Sequence, residues 1–539
     1  MDFIFAVHVF YGIMHNERTV FNTMKNKTSD KISIQTIFYK AGNLIVTLYF
    51  LALIIIFPLY NTGSYSQIGI QKYELFRNIG VSITIVMILI TTELLFLKRK
   101  NISIKTLSVT DWFMGGYCIS VLVSYIFTHF KEEALWGADG WYMGLITQLL
   151  FIGIYFLFSR YFIWNDRWMY VIYISSGLVF LLGILDRYSV YLIHMEGQTP
   201  GFISTIGNIN WFCGYWAVIC PFGIMFYWIS NIKWQQTTAG IYITICFIAG
   251  IVQGSSSAYL VFAGIFVFLF SLSFQENKKM DKFIQLCILF TASCQMARLF
   301  RYLPHFEINY ENELSRLLTS TNLTLYAGMM FAVVYLFFRY QIKKKNYDIR
   351  QHKKIRNIVL IMITAIAVIY TVLLIANTYM ENGIFGLSDI SFLRFNDEWA
   401  SFRGATWSIG VKTYKHMPLL NKITGIGPDC FACYAYSIEE LANHMNALFG
   451  NARLTNVHNE WITILINQGM LGLICFIGVF LSAFLRFMKK SWLQSALYLC
   501  AASILLYTLH NMVSFEQVMN TPFAFMILGI GESLCRDLN

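Results

Sequence analysis

Residues Val457–Leu473, VHNEWITILINQGMLGL, close the one long non-membrane segment of the chain and open a new membrane span. Wound as a helix, Asn459, Glu460, Thr463 and Asn467 make one polar stripe, and Trp461, Ile462, Leu465 and Ile466 make the opposite apolar one. His458 falls within the apolar stripe, so a titratable ring is aimed at the bundle from the edge of a bilayer. Asn456 is expected to cap this helix, which places His458 in its first turn. The positive end of the helix dipole there keeps an imidazole neutral and able to accept a proton, and the same end attracts a phosphate. The bland alternative is a buried structural histidine bonded to a backbone carbonyl.

Outward from this stretch the chain is membrane-like. Of 539 residues, 57% are hydrophobic and 13% charged, against about 25% charged in a soluble domain. Apolar runs of roughly 18–22 residues recur, long enough to cross a bilayer core. They are continuous rather than alternating, which predicts helices and excludes a barrel. About 12–14 transmembrane helices are expected, fourteen by direct placement of the runs. With a cytoplasmic N-terminus, 27 of the 40 Lys and Arg residues fall on the inner side, as the positive-inside rule requires, with both termini inside. Topology therefore accounts for the net charge of +11, and nothing supports a nucleic-acid partner. The apolar start Phe3–Met14 lacks a basic flank and a cleavage site, so it reads as a lead-in and not a signal peptide.

Four regions are expected: a cytoplasmic lead-in (1–40), a transmembrane bundle (41–380), an extracytoplasmic loop (381–457), and an interfacial helix with the last three spans (458–539). A structureless loop of that length is uncommon, so 381–457 should fold and carry function. Helices are predicted at Trp399–Tyr414 and, more weakly, Ile438–Phe449, with a turn over Gly425–Pro428. Gly469 and Gly472 mark the bend into the next span. Cys430 and Cys433, as CFAC, are either a disulfide or redox pair or two small loop residues.

In the loop, Arg403 precedes Trp407 by four residues, so on a helix they share a face. Guanidinium holds its charge and binds phosphate oxygens through paired bonds, which suits a lipid diphosphate at the membrane edge. Asn208 and Asn210 at the mouth of a span offer amides to a sugar, or tie the preceding loop to the helix end. Arg298 and Arg301 add positive field at the same face, or snorkel as anchors. No Asp-x-Asp and no Walker motif occurs. Charged residues at span centres are nearly absent, unlike ion-coupled carriers.

The chain resembles the O-antigen ligase / O-antigen polymerase superfamily of bacterial membrane glycosyltransferases in four pieces. These are TIGNINWFCGYWAVICPF (205–222), QGSSSAYLVFAG (253–264), RGATWSIGVKTYKHMPLLNKITGIGPDCF (403–431) and HNEWITILINQGMLGLICF (458–476). One departure is that many relatives carry an arginine where Ser256 stands. The resemblance implies an all-α, GT-C-like integral protein of the cytoplasmic membrane with its large, partly helical loop outside. It implies a donor glycan on a polyprenyl diphosphate, a glycan or glycolipid acceptor, a bilayer environment, and cell-envelope polysaccharide synthesis without metal or cofactor.

On that basis His458 and Arg403 are the expected catalytic residues, as proton acceptor and leaving-group stabiliser. Asn459, Glu460, Arg298, Arg301, Asn208 and Asn210 are the expected substrate contacts. The expected activity is ligase-like transfer to a sugar hydroxyl with inversion. A repeat-unit polymerase is the alternative within the class, and a polysaccharide flippase or transporter the alternative outside it.

Overall fold

The structure is a computed structural model that describes residues 34–97, 107–345, 347–380, 391–450 and 452–538. Most of the expected lead-in lies outside these residues, and the chain is already helical from Ile34.

Fourteen apolar helices follow the runs seen in the sequence. They are α1 (Ile34–Leu51), α2 (Ile68–Leu97), α3 (Val109–Phe127), α4 (Leu145–Tyr161), α5 (Trp168–Arg187), α6 (Ile209–Ile229), α7 (Lys233–Val252), α8 (Ser257–Ser273), α9 (Asn277–Phe300), α10 (Leu323–Lys345) and α11 (Lys353–Tyr379), and then, beyond the loop, α17 (Gly469–Lys490), α18 (Leu497–His510) and α19 (Thr521–Arg536). Among the described residues, ten helical segments are long and apolar enough to cross a membrane, as an all-α integral membrane protein requires. α6 and α19 are buried along most of their length, whereas α11 exposes nearly every apolar side chain. Such a helix is stable only against lipid. Among the described residues the strands form one small antiparallel pair, Phe202–Ile203 with Gly207–Asn208, which aims the chain into α6.

At one end of the bundle buried charges are paired across helices. Asp111 at the start of α3 accepts from Arg160 at 2.9 Å and from Arg536 at 2.6 Å. Arg486 meets Glu532 at 2.5 Å. These contacts pin α3, α4, α17 and α19 at one end, where an unpaired charge would be costly.

At the other end the long connection folds into α12 (Trp399–His416), α13 (Leu419–Thr424), α14 (Phe431–Tyr436) and α15 (Glu439–Phe449), followed by α16 (Glu460–Asn467). It has its own hydrophobic core of Ile409, Met417, Ile426, Phe431, Met445 and Val457, which also takes in Ala134 from a short helix at Lys131–Trp136. α12 and α15 match the two predicted helices; α13 and α14 were hidden by their length of six residues each.

The loop docks on α16 through backbone hydrogen bonds as well as through Ile462 and Ile466, which pack with its core. The N–H groups of Ile426 and Gly427 donate to the carbonyls of Ile466 and Asn467. This approach needs Gly425 at φ +86°, where an added Cβ would lie 2.1 Å from the Asn467 carbonyl oxygen. Gly469, at φ +72°, makes the bend into α17 and would meet the Ile423 oxygen at 2.3 Å. Gly425→Ala combines a disfavoured backbone with a clash against rigid main chain. It is expected to cost about 1–3 kcal/mol or more, read as a lowered Tm of the purified protein.

Candidate active site

α16 begins three residues later than the sequence suggested. Its N-cap is Asn459, whose side chain accepts from the Ile462 N–H at 3.2 Å, and not Asn456. Asn456 instead accepts from the His458 N–H at 3.1 Å, a local turn before the helix. His458 therefore precedes the helix, at φ +53°, a left-handed conformation that a non-glycine residue seldom adopts. Its carbonyl receives the Trp407 indole N–H at 3.4 Å. Its ring packs edge-on against Phe515, with centroids 5.1 Å apart. The Nδ1 atom is buried and has no protein partner among the described residues.

Neutrality of this imidazole thus has a different origin from the helix dipole. Burial, and then the positive charge of Arg403, push the His458 pKa down to about 4. The ring is an uncharged acceptor at neutral pH.

Arg403 follows three consecutive left-handed residues, Ala400, Ser401 and Phe402. That turn aims the side chain inward, where it is 9% exposed. Its Nε donates to the Val513 carbonyl and one terminal nitrogen to the Ala400 carbonyl, both at 2.8 Å. The other terminal nitrogen has no protein partner among the described residues and faces no carboxylate. Arg403 and Trp407 lie one turn apart on α12, and the Trp407 indole brings His458 to the same place.

The first two sequence motifs meet each other through hydrogen bonds. Asn208 caps α6 through the Asn210 N–H at 2.8 Å. Asn210 accepts from Ser255 at 2.9 Å, Ser255 bonds Ser257 at 2.7 Å, and Ser257 reaches the Cys213 sulfur. Near Ser256 the nearest buried cation is Arg187. Its guanidinium donates to the carbonyls of Gln253 and Pro200 and to Asn309, and stands over Tyr310.

The polar stripe of α16 points inward and not toward the outer loop: Asn459, Glu460, Thr463 and Asn467 are all buried. The reason lies in the α18–α19 connection, which the sequence reading passed over. Glu460 accepts from the Glu516 N–H at 2.6 Å and donates its own N–H to the Asn511 carbonyl. Glu516 accepts from Gln148 at 3.0 Å, and Gln148 from Tyr117 at 3.0 Å.

Asp429, which accepts from the Ala138 and Met143 N–H groups, closes the group around a cavity of about 20 Å³, room for a water. Burial raises the pKa of Glu460 well above the usual carboxylate range, and Glu516 raises it further; Glu516 itself is also raised by burial. Burial brings Asp429 to about 7, against the pull of its two N–H donors. The pair therefore retains a proton near neutrality. His510, at the end of α18, and Phe515 were likewise missed. The only sequence signal was a second His-Asn pair, 510–511, beside a Glu in a short inter-span connection.

Arg298 and Arg301 are committed to their own connection. Arg298 donates to Asn322 at 2.7 Å, and Arg301 pairs with Glu311 and Thr319. All eleven cysteines are free, and Cys433 lies 2.7 Å from Glu133, so CFAC is not a disulfide.

Fold and site together define a multi-pass integral membrane protein with a His–Arg centre where a folded loop meets the bundle. Residues 314–477 match the family model for O-antigen ligase, which supports membership of the O-antigen ligase / O-antigen polymerase superfamily. The match contains Arg403 and His458 and ends inside α17. It supports a ligase- or polymerase-type enzyme of polysaccharide biosynthesis. No curated protein matches the chain.

Proposed function

We propose that the protein transfers a glycan from a polyprenyl diphosphate to a sugar hydroxyl at the outer face of the cytoplasmic membrane, as a ligase. The observation that carries this reading is the pairing of a neutral, unpartnered imidazole with an arginine that keeps one terminal nitrogen unbound. The acceptor hydroxyl gives its proton to His458 while its oxygen bonds to the anomeric carbon. The bond from that carbon to the phosphate oxygen breaks on the opposite face, inverting the anomer. The lipid diphosphate leaves with the electron pair, and Arg403 stabilises its growing charge. Neither nucleotide sugar nor metal enters the reaction. Glu460 and Asn459 hold the turn that presents His458, and both termini lie in the cytoplasm.

Lipid-linked glycans in a deletion strain test the reading. Long unattached chains are expected. Accumulated single repeats would instead mean that the same site works as a polymerase, and an unchanged glycan pool would sink both.

The pH dependence follows from the lowered His458 pKa. The ring is deprotonated above about 4, so transfer falls only as pH drops through that value, and not through the 6.5 of free imidazole. The same depression makes folding more favourable as pH rises from about 4 to 6.5, because the unfolded chain binds the proton more tightly over that window. A pH–rate profile with reconstituted protein checks the first statement. An acid limb at 6.5 would contradict it.

A further inference from the structure

One bilayer core away from His458, a second cavity opens at the far end of the bundle. It has a volume of about 280 Å³ and lies between the C-terminal ends of α6 and α17 and the starts of α9 and α18. α17 alone separates the two ends by about 33 Å, at 1.5 Å per residue. The site is therefore independent of the proposed reaction centre.

Its walls are cationic and aromatic. Lys278, Lys279 and Lys282 all line it, against the single carboxylate of Glu276. Lys282 is buried and donates to the Trp228 and Ser230 carbonyls. Lys279 lies over Trp228 at 4.9 Å and over Tyr498 at 5.4 Å, held by Gln275 at 2.6 Å. Lys278 is exposed and has no protein partner among the described residues. The first turn of α9 receives no side-chain cap, so its N–H groups add to the positive field. Trp492, which lines the cavity, is 77% exposed, and the next residue, Leu493, is 51% exposed, so an apolar shelf adjoins a charged hollow.

We propose that this cavity binds the phosphate of an anionic membrane lipid. Lysine ammonium groups meet the phosphate as point charges. Trp492 and Leu493 lie against the acyl chains, as interfacial tryptophans do. Basic hollows between spans are suited to such head groups. The same phosphate chemistry is present in free inorganic phosphate, but a free ion makes no use of the shelf.

Native mass spectrometry of the full chain in detergent tests the assignment, with phosphatidylglycerol, phosphatidylcholine or inorganic phosphate added. Phosphatidylglycerol is expected to be retained in preference to phosphatidylcholine. Lys278→Gln should weaken that retention roughly fivefold, and Lys278→Gln with Lys279→Gln about twenty-fold, since each lysine near an anionic surface contributes on that scale. Lys278 touches no partner, so the single variant folds even if the double does not. Equal retention of the two lipids, or undiminished phosphatidylglycerol binding in Lys278→Gln, overturns the proposal. Displacement of the lipid by millimolar inorganic phosphate overturns the lipid source.

Discussion

His458→Ala is expected to lower glycan transfer by about 10²–10⁴-fold, the usual share of a general base, while the protein still purifies as a folded species. The imidazole Nδ1 has no partner to abandon, so little native bonding is lost with the ring. The local cost is backbone strain, since alanine tolerates φ +53° poorly. His458→Asn removes the base while keeping a residue type that accepts a left-handed backbone. Both variants should be equally inactive in a reconstituted assay with a polyprenyl-diphosphate glycan, and His458→Asn should melt closer to the wild type. Full transfer by a folded His458→Asn would remove the proposed mechanism.

The second large effect is at Arg403. Arg403→Lys keeps the charge but cannot span the Val513 and Ala400 carbonyls while offering a further N–H to a diphosphate. Transfer should fall about 10²–10³-fold, as when an oxyanion donor is removed. Arg403→Gln should be at least as slow and should do something more. Arg403 is the second cause of the lowered His458 pKa, after burial. Without its charge the acid limb of any residual activity moves upward, toward 6.5, whereas in Arg403→Lys it stays low. A limb that stays put in Arg403→Gln would show that the two side chains do not sense each other.

The bundle was legible because lipid-crossing runs are written in continuous apolar letters, so all fourteen helices lie where the sequence placed them. The histidine was legible as an anomaly, and the Arg403–Trp407 spacing announced a shared face. The cap was not. Asn456 and Asn459 are equally good capping residues, and the choice falls to Asn459 because Glu460 must reach the Glu516 and Asn511 backbone. The inward turn of the polar stripe was invisible for the same reason. Its neighbours, Gln148 in α4, Asp429 in the long loop and Glu516 in the α18–α19 connection, are far apart in sequence, and no local periodicity records them. The short helices α13 and α14 hold too few residues for a pattern to show.

Asp429 anchors the loop to the backbone at Ala138 and Met143, while Arg453 grips Glu133 at 3.1 Å. The unit that covers the site is thus discontinuous in the gene: a segment near 128–143 and another near 391–467 fold as one piece. A chimera that exchanged only the long loop between relatives would split that piece and seat Asp429 on a segment it was not built against. Exchanging both segments together would transplant the whole cover, and with it whatever acceptor preference the cover imposes.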